Sequence, residues 1–380
     1  MSAVYLDYNA TAPVRPQALA AVLQAMETCG NPSSVHAAGR AALALVEQAR
    51  ADVAALIAAP VSTVIFTGGG TEANALAIDS AVAAGSRRLI VSAIEHDSVL
   101  ETAKAAGVAV EFMPVDANGV ADLDWLARRL ADRGAQDGRP FVALMLANNE
   151  TGVLQPVARA AEIVRQAEGW LHVDAIQAAG KLIVDSRALG ADTLAVSAHK
   201  LGGPQGVGAL TFGPRATLSR RQHGGGQERG RRAGTENVPG IAGFGAAARA
   251  ALADLTRLQD QARWRDAAAD RLKAHGAVVM GEAVQRLPNT LCVASPGFGA
   301  ELQVMALDLA QVMVSAGSAC SSGKVRASHV LAAMGETDLA SAAIRVSGGW
   351  ATTESDWNSF VEAWLQAHDR HAARRRASAA

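Results

Sequence analysis

Short β-rich runs alternate with amphipathic helical stretches along most of this chain. Leu19, Val22, Leu23 and Met26 recur at helical spacing after Pro16 and stop before Gly30. That order predicts a helix with a start, an apolar face and an end. Strand-like runs follow at residues 64–66, 89–91, 110–112, 141–146, 171–173, 193–196 and 207–212, with helices between most of them. This is the pattern of an α/β fold, a mostly parallel sheet covered by helices on both faces. From residue 239 to about 275 the chain reads as one long Ala-rich helix. Shorter runs at 278–280, 290–293, 312–314 and 344–346 then predict a smaller C-terminal α+β domain.

Composition narrows the classes. With 380 residues and 50% hydrophobic content, the chain can fill a large core and a further lobe. Much of that content is alanine, and even the apolar stretch 99–110 is broken by Glu101 and Lys104, so no membrane span is expected. The N-terminus lacks the basic-then-apolar order of a secretory leader. Three scattered cysteines, Cys29, Cys292 and Cys320, suit neither a disulfide framework nor a zinc site, and a reducing cytoplasm fits them. A formal net charge of -1 argues against bulk nucleic-acid binding, and Arg374-Arg375-Arg376 reads as a solvated helix end.

Chemistry concentrates in two segments, His172-Val173-Asp174-Ala175-Ile176-Gln177 and Ser197-Ala198-His199-Lys200 ahead of Gly202-Gly203-Pro204. An acid, an amide and a lysine at the ends of apolar runs are what an enzyme needs to hold pyridoxal phosphate. Lys200 suits the Schiff base, Asp174 the pyridinium nitrogen and Gln177 the ring hydroxyl. A lysine before glycines is also a common surface residue, and an Asp at a strand end a common cap. The order of the four polar residues is what points to a cofactor. Upstream, Thr67-Gly68-Gly69-Gly70-Thr71-Glu72-Ala73-Asn74 places glycines and a Thr at a helix start, where free N–H groups and the helix dipole favour an anion. It lacks the ending of a nucleotide P-loop and the spacing of a dinucleotide-binding loop.

These segments occur in order with Tyr5-Leu6-Asp7-Tyr8-Asn9-Ala10-Thr11, Asn31-Pro32-Ser33-Ser34-Val35-His36, Glu95-His96, Asn148-Asn149-Glu150-Thr151-Gly152, Gly224-Gly225-Gly226-Gln227-Glu228-Arg229-Gly230 and Gly317-Ser318-Ala319-Cys320. Together they resemble, nearly end to end, the cysteine desulfurases. These are pyridoxal-phosphate enzymes of the class V aminotransferase superfamily, of the type that serves iron-sulfur cluster and nitrogenase assembly. The resemblance implies a fold-type-I architecture, with a large cofactor-binding domain at 15–256 and a small domain made of 1–14 and 257–380. It implies that Lys200 carries the cofactor, Asp174 pairs with the ring nitrogen, Gln177 meets the ring oxygen and His96 stacks on the ring. Gly70, Thr71, Ser197 and His199 would hold the phosphate, with Asn149 near the ring. Thr235 would reach the phosphate of a neighbouring subunit, which implies a homodimer. Asn31 and Arg345 match the positions that grip the carboxylate of L-cysteine, a task suited to a guanidinium.

Cys320 lies among small residues, Ser315 to Ala319 on one side and Ser321-Ser322-Gly323 on the other. Such a loop suits a thiol that attacks the substrate sulfur and carries it away as a persulfide. The resemblance implies delivery to an iron-sulfur scaffold or another acceptor protein, where a cluster on the scaffold would borrow Cys320 briefly as a ligand. The sequence shows no metal site of the chain's own. Ala198 and the triple-glycine loop depart from the family pattern by small-for-small changes. The C-terminus, one helix and a basic tail after Trp357, departs further and leaves the sulfur acceptor open. A selenocysteine lyase or a transaminase on the same scaffold, and a catalytically silent partner subunit, stay as alternatives.

Overall fold

A short N-terminal strand, β1 (Val4–Tyr5), precedes seven strands at the expected apolar runs. They are β2 (Val64–Thr67), β3 (Arg88–Ser92), β4 (Ala109–Met113), β5 (Phe141–Ala143), β6 (Trp170–Asp174), β7 (Thr193–Ser197) and β8 (Gly208–Phe212). In this computed structural model, which describes residues 3–317 and 327–379, the seven join in one sheet of order β2-β8-β7-β6-β5-β3-β4. Neighbours from β4 to β7 run parallel, while β8 is antiparallel to both β2 and β7. Cys320 lies outside the described residues.

Alternation along β6 decides what each face of this sheet does. Leu171 and Val173 point to a core shared with Ala18, Ala42 and Ile241, which belong to the helices Pro16–Glu27, Ala37–Leu56 and Val238–Ala253. Trp170 points the other way, into a core with Ile78 of the helix Gly70–Ala83 and with Val99 and Leu100 of the helix Asp97–Ala105. His172 and Asp174 share that second face, so polar groups follow the apolar Trp170 toward the carboxyl end of the strand.

The C-terminal part adds β9 (Val278–Val279), β10 (Thr290–Ala294), β11 (Val312–Met313), β12 (Ser315–Ala316) and β13 (Ala343–Ser347). Four of these form an antiparallel sheet, β12-β13-β10-β9, while β11 pairs in parallel with β1. The N-terminal residues are thereby tied to the C-terminal sheet, through a core that includes Leu6, Leu291, Val346, Trp357 and Trp364. Among the described residues, no helix is long and apolar enough to cross a membrane.

Two local expectations are corrected. The first helix does run Pro16–Glu27, but its expected face is turned outward: Leu19, Leu23 and Met26 are 52%, 55% and 68% exposed, and Ala18 and Ala25 are buried instead. The reason is close approach to Val238–Ala253. A Cβ on Gly243 would meet Val22 Cγ2 at 2.6 Å, so the missing side chain at Gly243 admits Val22, while Ala18 and Ala25 share a core with Ile241 of that helix. The long helix is also broken, into Val238–Ala253, Leu255–Leu258 and Asp260–Lys273. At the break Asp254 pairs with Arg15. Farther on, Gln261 donates to Gly349 O and Thr352 O, so the two halves serve different cores.

Candidate active site

Asp174 ends β6 and Ser197 ends β7, and because these strands run parallel with Asp174 opposite Ala195, both chain ends emerge on one edge. Open α/β sheets bind ligands at that edge. Directly after Ser197 a single helical turn, Ala198–Lys200, presents His199 and Lys200. The Lys200 amine donates to Asn9 O at 2.6 Å and Ala10 O at 2.8 Å. Asp174 Oδ1 accepts from Ile176 N at 2.9 Å, an Asx turn that aims the carboxylate, and Oδ2 accepts from Asn74 Nδ2 at 2.7 Å. From β2 the chain turns through Gly69, whose φ of 152° favours glycine, into the helix that opens at Gly70. A Cβ on Gly70 would lie 2.3 Å from Ile176 Cδ1, so a larger residue there would displace the Ile176 side chain beside the Asp174 turn.

These elements enclose a cavity of about 370 Å³ lined by Gly70, Thr71, His96, Asn149, Asp174, Gln177, Ser197, His199, Lys200 and Arg345, among others. Three buried polar atoms on its wall have no hydrogen-bond partner among the described residues: Ser197 Oγ, Asn149 Oδ1 and Arg345 Nε. Buried polar groups rarely stay unsatisfied. An opening helix, a hydroxyl, an amide, an acid and a lysine around such a cavity fit a phosphorylated pyridine aldehyde. Burial pushes the Asp174 carboxyl above its ordinary value, and the Ile176 N–H, the Asn74 amide, His96 and Lys200 pull it back. Burial, followed by the charge of Lys200, holds the His199 imidazole down at about 4.

Of the residues expected from the sequence, only two described ones lie elsewhere. Asn31 is exposed, its Oδ1 accepting from Ser33 N, and Thr235 is exposed in a separate recess beside Gly68 and Arg232. His96 both lines the cavity and caps the helix Asp97–Ala105 through Nδ1. Arg345 pairs with Asp7 at 2.9 Å and donates to Asn149 O. Sequence reasoning missed Asn9, Asn74 and Lys181. Lys181 is fully buried, donating to Asn9 Oδ1 at 2.8 Å and Gln177 Oε1 at 2.7 Å, and burial holds its amine well below the usual lysine range. Its spacing of four from Gln177 was the available signal.

His172 sits under the site, fully buried, and burial lowers its imidazole to about 3. The unfolded chain takes up these protons near pH 6.5, the folded chain only near 3 for His172 and near 4 for His199. The unfolded state thus binds more protons below pH 6.5, and stability falls as pH drops through that value, by about 1.4 kcal/mol per pH unit for each histidine. Urea midpoints at pH 7 and pH 5 should therefore differ less for His172→Gln than for the parent. Equal differences in the two proteins would contradict this account.

Comparison with known proteins agrees with this geometry. The model of the family "Aminotransferase class-V" matches residues 4–360. A cysteine desulfurase of Cereibacter sphaeroides is 42% identical over 371 residues, 95% of each chain. The X-ray structure of a NifS-like protein from Rickettsia africae ESF-5 superposes with a TM-score of 0.89 at 32% identity, covering 97% of this chain and 99% of that one. A structure of SspA in complex with cysteine gives 0.75 at 28% identity, covering 90% and 98%. With likeness running through nearly the whole chain, in sequence and in fold alike, the chain belongs to the class-V aminotransferase family, among its cysteine desulfurases.

Proposed function

We propose that this enzyme takes sulfur from L-cysteine, releases L-alanine and carries the sulfur as a persulfide on Cys320, with pyridoxal phosphate as cofactor. The observation that carries the reading is the convergence of Lys200, Asp174, Gln177 and His96 with Arg345 on one cavity. Relatives named cysteine desulfurase and the cysteine-bound SspA structure support the substrate. When bound, the cofactor supplies an electron sink for charge developing at the substrate Cα.

The chain's own residues do the rest. Lys200 holds the cofactor covalently and then moves the Cα proton. Asp174 would hold the ring nitrogen, Gln177 the ring oxygen, His96 the ring itself, with Asn149 near it. The phosphate would be held by Gly70, Thr71, Ser197 and His199, completed by Thr235 of a second copy. Arg345 binds the substrate carboxylate and Asn31 assists. The Cys320 thiolate attacks the substrate sulfur: an S–S bond forms, the C–S bond breaks, and its electron pair passes to Cβ, which takes up a proton on the way to alanine. No outside oxidant or reductant is needed.

A homodimer fits the exposed Leu19, Leu23 and Met26 on one helix face, apolar surface that a second copy would cover. The division into 15–256 against 1–14 with 257–380 fits the pairing of β1 with β11. Delivery to an iron-sulfur scaffold or another cytoplasmic acceptor completes the proposal. Purified protein given L-cysteine should form alanine and protein-bound sulfur in equal amounts in the first turnover. Alanine without protein-bound sulfur would favour a lyase, and no alanine would overturn the reading.

A further inference from the structure

Behind Asp174 and His96 lies a run of buried polar side chains with a fixed direction. Trp170 Nε1–H, which can only donate, reaches Thr193 Oγ1 at 3.0 Å. Thr193 Oγ1 is also 3.0 Å from His172 Nδ1. Strand pairing makes this contact, since His172 and Thr193 are direct partners on β6 and β7. The second nitrogen of the same ring, His172 Nε2, lies 3.0 Å from Asn74 Oδ1. The Asn74 amide nitrogen then reaches two oxygens, Asp174 Oδ2 at 2.7 Å and Ser98 Oγ at 2.9 Å. Last, Ser98 Oγ is 2.9 Å from His96 Nδ1, which also accepts from Ser98 N at 3.1 Å.

With an ionised Asp174 and a neutral His172, one placement of hydrogens satisfies every link. Thr193 accepts from the indole and keeps its own hydrogen for His172 Nδ1. The neutral His172 ring then carries its hydrogen on Nε2 and gives it to Asn74 Oδ1. Asn74 is left with two N–H groups for Asp174 and Ser98. An ionised Asp174 can only accept, which requires the same Asn74 orientation from the opposite end of the chain. With Ser98 accepting from Asn74, its hydroxyl points at His96 Nδ1, in agreement with the backbone N–H of Ser98.

We infer that Asn74 is a positioning residue, the hub of a one-way hydrogen-bond chain that starts at Trp170, fixes the neutral His96 ring with its hydrogen on Nε2, and delivers a second donor to Asp174. Asn74, His172, Thr193 and Trp170 are absent from the cavity wall, so they act through His96 and Asp174. Each has a structural reason to be where it is. Asn74 sits one helical turn from Gly70, on the helix that opens at the cavity, while Trp170, His172 and Asp174 form one alternating row of β6. The low value of about 3 for His172 agrees with a ring that stays neutral at all working pH. The importance of this chain for turnover rests on the function proposed above. The order of its hydrogens does not.

Long-range 1H–15N spectra of the full-length purified protein, labelled at histidine and assigned with His96→Gln and His172→Gln, should show both rings with the hydrogen on Nε2. In Asn74→Leu, His172 loses its acceptor and should pass to the other tautomer or a mixture, and pyridoxal phosphate should bind at least ten-fold more weakly. Ser98→Ala, the milder change, should move the His96 signals while leaving those of His172 in place. A ring hydrogen on Nδ1 of either histidine in the parent protein overturns the inference, as does an unchanged His172 tautomer in Asn74→Leu. Because the parent spectrum needs no variant to fold and no turnover, failure of the chain is distinguishable from failure of the desulfurase reading, which the alanine assay reports.

Discussion

Lys200→Ala should lower turnover by about 10⁴-fold or more and abolish the cofactor that borohydride traps on the chain, while leaving the fold in place. The size of the kinetic effect follows from one amine doing two tasks, covalent anchoring and proton movement at Cα, neither of which a methyl group can perform. The small effect on folding follows from what the amine touches. It donates to the carbonyls of Asn9 and Ala10. Loss of two such bonds at a half-buried position costs about 1–2 kcal/mol. Removing the cation also relieves His199, whose imidazole Lys200 helps to hold down, so that ring should titrate closer to its ordinary value. Borohydride reduction followed by peptide mapping decides the assignment: cofactor still trapped in the variant, or trapped on another lysine such as Lys181, would overturn it.

The site was legible in the sequence where its residues are close along the chain. Asp174 and Gln177 stand three apart and Ser197 to Lys200 four in a row, each just past an apolar run, so a local reading finds them. Asn9 could not be found that way. Its backbone oxygen accepts from Gln177 at 2.9 Å across 168 positions, and its side chain accepts from Lys181 across 172. Asn74 ends the glycine-rich motif, but its task is set by Asp174 and His172, about 100 positions away. His172 opens the same segment as Asp174, and its contacts make it a link between two strands and a helix.

The fold shows the same division. All seven runs of the large sheet became strands, and apart from the mostly exposed or half-buried edge strand β4 they are the buried apolar stretches that a doubly covered sheet demands, which can be read directly. The direction of β8 was not readable, since apolar content carries no sign of parallel or antiparallel pairing. On the first helix, three of the four expected apolar positions, Leu19, Leu23 and Met26, are exposed, while Val22 meets Gly243 and Ala18 and Ala25 are buried. Periodicity therefore located the helix, and packing distance decided its orientation.

Cys320→Ser should separate the carbon chemistry from the sulfur chemistry. Lys200 and the cavity activate L-cysteine, whereas Cys320 only receives the sulfur, so the variant should still bind L-cysteine and alter the cofactor spectrum. It should form no protein persulfide, and alanine should fall by at least about 100-fold, because serine offers no comparable nucleophile toward sulfur. The other two thiols supply the controls. Cys292 is fully buried in β10, and burial pushes its thiol up from the ordinary value, which keeps it protonated and unreactive. Alanine is the suitable replacement there, since a buried hydroxyl without a partner costs about 1–3 kcal/mol. Cys29 is exposed, but it stands beyond the end of the helix Pro16–Glu27 and away from the cavity wall. Cys29→Ser and Cys292→Ala should therefore make alanine and persulfide at parental rates. Mass spectrometry of the protein after one turnover settles the matter: sulfur found on Cys29 or Cys292, or undiminished alanine from Cys320→Ser, would show that the enzyme needs no thiol at position 320 and would return the chain to the lyase or transaminase alternative.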